Sequence, residues 1–330
     1  MTERYITTTD AGRYRVRIPQ DEGRVNVGTY DTLDEAIGAR DTALGIVKDE
    51  QEPIGYRAIR INGEILTPSL AVPPQDTIDV PANAHVVTEK PLTATLARWL
   101  YCSDIHAPLH SRLWIERLIR VGRSLKVHDL IIGGDLADND SISRHGRAEA
   151  QAGYKVTKQT AGDIVYLLAN EFRLWLLPGN HDDRLRKRLD DDVPFADFVY
   201  AALAGRTPRN QLTITDYSYL YVQGPQRQWV VGHPSFYSRT PAKGLADVAQ
   251  LHQMSVIGAH NHLQGMMWSP DGKHIAIDPG AMCDASITPY IQRGLGMSKF
   301  PIWRNGFVLI DNDRPTLFGD GLIEWGRYGC

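Results

Sequence analysis

Residues 129–138 read Asp129-Leu130-Ile131-Ile132-Gly133-Gly134-Asp135-Leu136-Ala137-Asp138. The apolar run is too short for a helix, and two glycines cut it off just before a carboxylate. A short apolar run bounded by turn residues is the pattern of a strand buried on both faces. The glycines let the backbone turn sharply, so the Asp135 carboxylate points at whatever occupies the crest of the sheet. Moving outward, Arg98-Trp99-Leu100-Tyr101-Cys102 and Leu174-Trp175-Leu176-Leu177 repeat the pattern. Segments 110–126, 143–170 and 184–203 carry helical spacing. Further strands are expected at about 218–223, 228–232, 255–259, 273–277 and 306–311, joined by short links. Doubly buried strands alternating with helices predict a layered α/β domain with a sheet on each side of a buried interior.

Each apolar run ends in side chains that bind cations. Asp104 and His106 stand two apart just beyond one strand, where alternation turns both the same way and one ion could take both. Asp135 is the best candidate for a carboxylate bridging two ions. Asn180 offers a neutral amide oxygen after Leu177-Pro178-Gly179. His233, His260 and His262 arrive at the ends of two further strands. Any one of these pieces is common in loops. Five of them, each at the C-terminal end of an apolar run, point to a pair of divalent cations held by O and N ligands. Imidazoles suit Mn, Fe, Zn or Ni, while the carboxylates leave a harder ion such as Mg open.

In order and context, Asp-x-His, Gly-Asp-x-x-Asp, Gly-Asn-His-Asp, an isolated His and His-x-His resemble the calcineurin-like metallophosphoesterases over about residues 97–285. The resemblance implies a four-layer β-sandwich flanked by helices, with two metals at the strand ends, Mn foremost. It implies one ion on Asp104, His106, Asp135 and His262, and the other on Asp135, Asn180, His233 and His260. It makes His181 the general acid that protonates the leaving oxygen, with Asp138 orienting the imidazole. Two such cations, about 3.5–4 Å apart, hold a bridging hydroxide that attacks a phosphoester in line. The chain departs from the family pattern twice. Gly258-Ala259-His260-Asn261-His262 has one residue more than Gly-His-x-His, and Asp278-Pro279-Gly280 stands where Asn-Pro-Gly is frequent, as a segment that closes the site.

Substrate contacts are expected nearby. Arg144 and His145, with Arg147, could meet phosphate where a helix opens after Asp138 and its first amides favour an anion. A solvated first turn is the plainer alternative. Arg184 follows His181 by three and could grip substrate, whereas the charge run from Leu185 to Asp192 is expected to be a solvated helix face. Cys283 is expected to be a packed thiol.

Composition changes near residue 90. Pro68, Pro73, Pro74, Pro81 and Pro91 punctuate a stretch with little periodicity, which predicts a linker or extended packing segment over 51–95. A catalytic domain is then expected over 96–330 and a small domain over 1–50. In the small domain Gly12-Arg13-Tyr14-Arg15-Val16-Arg17-Ile18 alternates arginines with apolar residues, predicting a strand with one basic face. A second strand ends at Gly28-Thr29-Tyr30, and Thr32-Leu33-Asp34-Glu35 is a capping box for a helix to about residue 46. Together these are similar to the plant ethylene-response-factor type of DNA-binding domain, which also occurs in phage and bacterial endonucleases. The resemblance implies a sheet in the DNA major groove with Arg13, Arg15, Arg17 and Arg24 as base readers or phosphate clamps. Against it, residues 1–50 hold seven Lys/Arg and ten Asp/Glu, without the basic footprint of a DNA binder. A packing or self-association module is the rival.

With 330 residues, 42% hydrophobic and 23% charged, the chain is ordinary globular material. The net charge of −3 gives no global attraction to nucleic acid. Three widely spaced cysteines argue against a disulfide framework and fit a reducing compartment. No apolar run of about 18 residues or apolar leader is present, so a soluble cytoplasmic protein with no membrane partner is expected. The leading expectation is a two-metal phosphodiesterase acting on nucleic acid. The alternatives are a phosphomonoesterase or protein phosphatase, a small or cyclic nucleotide diesterase, and a DNA-binding regulator with a non-catalytic phosphoesterase domain.

Overall fold

The computed structural model describes residues 6–9, 12–20, 23–33, 35–37, 39, 60–61, 64–65, 83–87, 90–142, 152–188, 193–288 and 303–330. The chain divides into two units, Met1–Asp76 and Thr77–Cys330.

In the first unit β1 (Ile6–Thr8), β2 (Tyr14–Gln20) and β3 (Gly23–Tyr30) form an antiparallel sheet in that order. Residues 33, 35–37 and 39 are helical. The capping box is formed: the Glu35 amide donates to Thr32 Oγ1 and the Thr32 amide to Glu35 Oε2. Val16 is buried with Ile6 and Ala36, so Arg15 and Arg17, on either side of it in β2, belong to the opposite face. A short hairpin, β4 (Arg60–Ile61) and β5 (Glu64–Ile65), follows. The expected continuation of the helix to residue 46 lies outside the described residues beyond 39.

The second unit is a sandwich of two sheets. The first has seven strands in the order β18 (Arg314–Gly319), β17 (Gly306–Asp311), β8 (Arg98–Cys102), β9 (Asp129–Gly133), β10 (Arg173–Leu177), β11 (Leu212–Thr215), β6 (Ala84–Val87). From β8 to β6 the pairing is parallel. The second has six strands in the order β15 (Gln264–Trp268), β16 (Ile275–Pro279), β14 (Ser255–Gly258), β13 (Gln228–Gly232), β12 (Tyr219–Gln223), β7 (Thr93–Thr95). Thus β6 and β7, inside the proline-rich stretch, each complete an edge of one sheet.

Alternation along β8 explains the layers. Trp99 and Tyr101 turn into the sandwich with Ile131, Leu177, Trp229, Val231 and Ile257. Leu100 and Cys102 turn outward to α1 (Arg112–Leu125), α2 (Tyr154–Glu171) and α4 (Phe195–Leu203). On the far side α5 (Lys243–His252) lays Leu245, Ala246 and Ala249 on Val256 and Ala276. The result is a four-layer helix–sheet–sheet–helix α/β fold. Trp99 and Trp229 meet edge to face at 6.3 Å, and losing either indole would cost about 3–5 kcal/mol.

Helical spacing over 184–203 does not make one helix. α3 (Asp183–Arg188) and α4 are separate, with Pro194 immediately before α4, because a proline fits the start of a helix and not its interior. The segment read as helical from 143 becomes α2 only at Tyr154, after Gly153; residues 143–151 lie outside the described set. β15 and β18 were not anticipated, since Met266, Met267 and Trp268 are consecutive, apolar and exposed and give no alternation. No helix among the described residues is long and apolar enough to cross a membrane.

Candidate metal centre

The sandwich is sewn together just below the site. Tyr101 Oη donates to the Gly232 carbonyl at 2.9 Å, tying β8 to the last residue of β13. A Cβ on Gly133 would strike the Tyr101 ring, so the glycine is required by that crossing. Beyond this layer the chain leaves β8, β9, β10, β13 and β14, and each exit carries candidate ligands.

Those exits are bent back tightly. Asp104, His106, Asp135, His260 and His262 all have positive φ, between 51° and 79°. A non-glycine residue there costs on the order of 1–2 kcal/mol, and such strain persists where the surroundings over-determine it. The restraints are visible. The Asp104 and His106 amides donate to the carbonyls of Gly134 and Asp135, and the Asp138 amide returns to Ala107. The His260 amide donates to Asp104 Oδ2 at 3.1 Å, and the His181 amide to Asp135 Oδ1 at 2.8 Å.

Among the described residues the side chains converge in four overlapping groups that could hold an ion: Asp104, His106 and His262; Asp135, His233 and His260; His106, Asp135 and His181; and Asp138, Asp140 and His181. His262 Nε2 lies 3.0 Å from Asp104 Oδ1 and 3.2 Å from His106 Nε2. In the second group His233 Nε2 lies 3.3 Å from Asp135 Oδ2 and 3.0 Å from Asn180 Oδ1. His233 Nδ1 is 3.0 Å from the Gly133 carbonyl, which assigns its proton to Nδ1 and turns the Nε2 lone pair inward.

The donor set fits cations. Asp104 Oδ1 is buried and accepts no hydrogen bond in the structure, and two imidazole nitrogens face each other beside it. At most one of them can carry a proton toward the other. A buried acceptor without a donor is costly, and a divalent ion satisfies several at once.

Without cations the charges lean on protons. Burial opposes the charged imidazole, but the carboxylates of Asp104, Asp138 and Asp135 around it prevail and raise His106 to about 10. Asp135 likewise raises His233 to about 9 against its burial. In return, burial notwithstanding, His233 and His181 hold Asp135 below the usual carboxylate range, and His106 and His181 hold Asp138 there. Burial, then His233, lowers His260.

Asp138 touches two rings, His106 Nδ1 at 3.2 Å and His181 Nδ1 at 3.1 Å, and its carbonyl is 2.8 Å from His181 Nδ1. Arg184 donates to that carbonyl at 2.7 Å and to Asp140, and its second terminal nitrogen is 3.0 Å from His181 Nε2. Arg144 and His145 lie outside the described residues. In the first unit Arg13 pairs with Asp31 at 2.6 Å and reaches the Thr29 carbonyl, while Arg15 is half-buried and Arg17 exposed. The Arg24 side chain lies outside what is described.

Two supports, Asp182 and Trp303, escaped the sequence reading, and a third, Cys283, was read only as a packed thiol. Asp182 accepts from the amides of Leu136, Ala137 and Gly179, welding the turn of Asp135 to that of Asn180. Burial, then the Asp135 charge, raises its pKa to about 7. Cys283 is buried, as a packed thiol should be, and its sulfur stands 3.8 Å from His262 Nδ1. Trp303 packs against the same imidazole, its ring centroid 3.8 Å from that of His262. An acid following Asn-His was the signal for Asp182, and nearness to Asp278-Pro279-Gly280 was the one for Cys283; Trp303 had none.

No curated protein sequence matches the chain. Among solved structures it is similar to the phosphoesterase Yfce from E. coli, with 15% identity over 67% of this chain and 92% of that one and a TM-score of 0.36. It is similar also to Vps29 from Entamoeba histolytica complexed with zinc, with 13% identity over 68% and 94% and a TM-score of 0.35. The family model of the calcineurin-like phosphoesterases matches residues 97–265, from just before β8 into β15. That span takes in every strand exit of the cluster, and the chain belongs to the calcineurin-like phosphoesterase family.

Proposed function

We propose that the chain hydrolyses phosphodiester bonds of nucleic acid. In this reading one divalent cation sits on Asp104, His106, Asp135 and His262 and a second on Asp135, Asn180, His233 and His260, with Mn the leading candidate. Bound there, the ions would neutralise phosphoryl oxygens and lower the pKa of a water that attacks in line. His181 supports the reading most directly. Its ring lies 4.4 Å from that of His106, and Asp138 at Nδ1 fixes its orientation. With Asp138 at Nδ1, Nε2 is the ring atom that would pass a proton to the leaving oxygen, which matters for the poor alkoxide leaving groups of nucleic acid. Arg184, 3.0 Å from Nε2, would steady the phosphoryl charge beside that transfer.

Residues 1–50 would present the nucleic acid, and the sandwich, which takes β6 and β7 from the 51–95 stretch, would carry the chemistry. Arg15 and Arg17, on the sheet face away from Val16, are the side chains best disposed to reach a duplex; Arg13 and Arg24 complete the proposed set.

The deciding experiment compares a diester, a monoester, a cyclic nucleotide and single- and double-stranded DNA as substrates of the Mn-loaded protein. DNA and diester turnover at least tenfold above the monoester is expected. A reversed ratio would replace this reading with a phosphomonoesterase or protein phosphatase. Two bound ions with no turnover of any ester would favour a DNA-binding regulator. A gel-shift titration across salt tests the small unit, because phosphate contacts weaken steeply as salt rises.

A further inference from the structure

His260 and His262 bracket Asn261, and both have left-handed backbones, at φ 79° and 55°. Two such residues around one spacer need an outside restraint. Asn261 is 2% exposed and supplies it in three directions. Its Oδ1 accepts from the Ser238 amide at 2.9 Å. Its Nδ2 donates to Asp278 Oδ2 at 3.4 Å. Its own amide donates to the Ala259 carbonyl at 3.0 Å. Ser238 lies in the loop between β13 and α5, and Asp278 lies in β16, the neighbour of β14. One side-chain amide therefore spans from a loop to the sheet across the turn that carries both histidines.

The turn has a consequence for ligand geometry. An extended His-x-His points both imidazoles to one side, so both would crowd a single ion. Here His262 joins Asp104 and His106, whereas His260 joins Asp135 and His233. The partner of Asn261 is itself anchored: Asp278 is fully buried, and its Oδ1 has no hydrogen-bond partner in the structure. Its Oδ2 accepts from Asn261, so an amide in its place would keep that acceptor.

We propose that Asn261, held between the Ser238 amide and Asp278, is the positioning residue that divides His260 and His262 between two cation sites. The inference rests on the two-cation reading above. Asn261 acts through the histidines, so its removal weakens cation binding in the absence of any substrate.

The test strips the full chain with chelator and titrates it with Mn(II), following stoichiometry by calorimetry and the spin-coupled pair by electron paramagnetic resonance. Wild type is expected to bind two ions and give the coupled signal. Asn261→Ala should weaken pair formation 10–100-fold, the usual effect of losing a group that orients a ligand, and lose the coupled signal at Mn concentrations that saturate wild type. Its metal-free melting temperature should also fall by a few degrees, because truncation leaves the Ser238 amide and Asp278 without their partner. Asn261→Asp, which keeps the shape and the acceptor for Ser238 but sets carboxylate against carboxyl, should show the same loss if the alanine variant does not fold. Asp278→Asn should bind within threefold of wild type. Wild-type pair affinity in the Asn261 variants, or a fall in metal-free melting temperature as their sole effect, overturns the inference. A wild-type protein that binds fewer than two ions overturns the two-cation reading itself.

Discussion

Raising the pH on chelated protein perturbs the centre without mutation. His106 and His233 move from 6.5 in the unfolded chain to about 10 and about 9 in the folded one. A raised pKa means that the folded state holds the proton more tightly. The stabilisation is therefore complete below pH 6.5 and is lost as pH rises through 9 and 10. Each unit is worth about 1.4 kcal/mol, so either ring alone would account for several kcal/mol. The two share Asp135 and Asp104 as causes, so their contributions overlap, and the loss by pH 9.5 should be on the order of 4 kcal/mol. For a unit of this size that is roughly a 10 °C fall in melting temperature. Asp182, raised to about 7, adds a loss of the same sign between about pH 4 and 7. Differential scanning calorimetry in EDTA from pH 6.5 to 9.5 measures the fall. Divalent ions replace the protons as the positive charge, so a saturating metal should flatten the profile and add about 4 kcal/mol at a thousandfold excess over Kd. A chelated protein whose melting temperature stays within about 2 °C over that range would refute the picture of imidazolium ions neutralising the Asp104–Asp135 cluster.

His181→Ala should retain two ions by metal analysis yet lose about 10²–10⁴-fold in turnover of alkyl or nucleoside esters, and far less on a nitrophenyl ester; undiminished alkyl-ester turnover would remove it from proton transfer. Gly179→Ala places a methyl against the Asp135 carboxylate and amide, where backbone cannot yield, so metal content measured by mass spectrometry should collapse while the far-ultraviolet circular dichroism remains. Asp182→Ala leaves three buried amides without their acceptor. At about 1–3 kcal/mol for an unsatisfied buried donor, denaturant unfolding should show a loss of at least 2 kcal/mol, and Asp182→Asn a smaller one.

Much of the architecture was legible because burial on both faces imposes composition. β8, β9 and β10 stand out as apolar runs, since each inward residue meets the other sheet and each outward residue meets a helix. β15 lacks that constraint: an exposed edge strand pairs through its backbone, and nothing obliges Met266, Met267 and Trp268 to alternate. Helical spacing likewise ran on through 184–203, because periodicity registers a face and not a break; Pro194 was the residue to heed.

The candidate ligands were legible for a different reason. A cation needs particular atoms, and Asp, Asn and His at strand exits are few enough to notice; the structure brings six of the seven into two adjoining groups and sets Asn180 beside His233. What holds them there was hidden. Asp182, Asn261 and Asp278 do their work by bonding to the backbone or amide of a segment distant in sequence, and such a bond leaves no local period. The visible trace is backbone strain: five of the seven candidates sit at positive φ, and a chain does not keep five such residues without bonds across the site to hold them. Asn261→Ala probes this directly, because a turn relaxed toward extended backbone would return both histidines to one side and leave one cation short of a ligand.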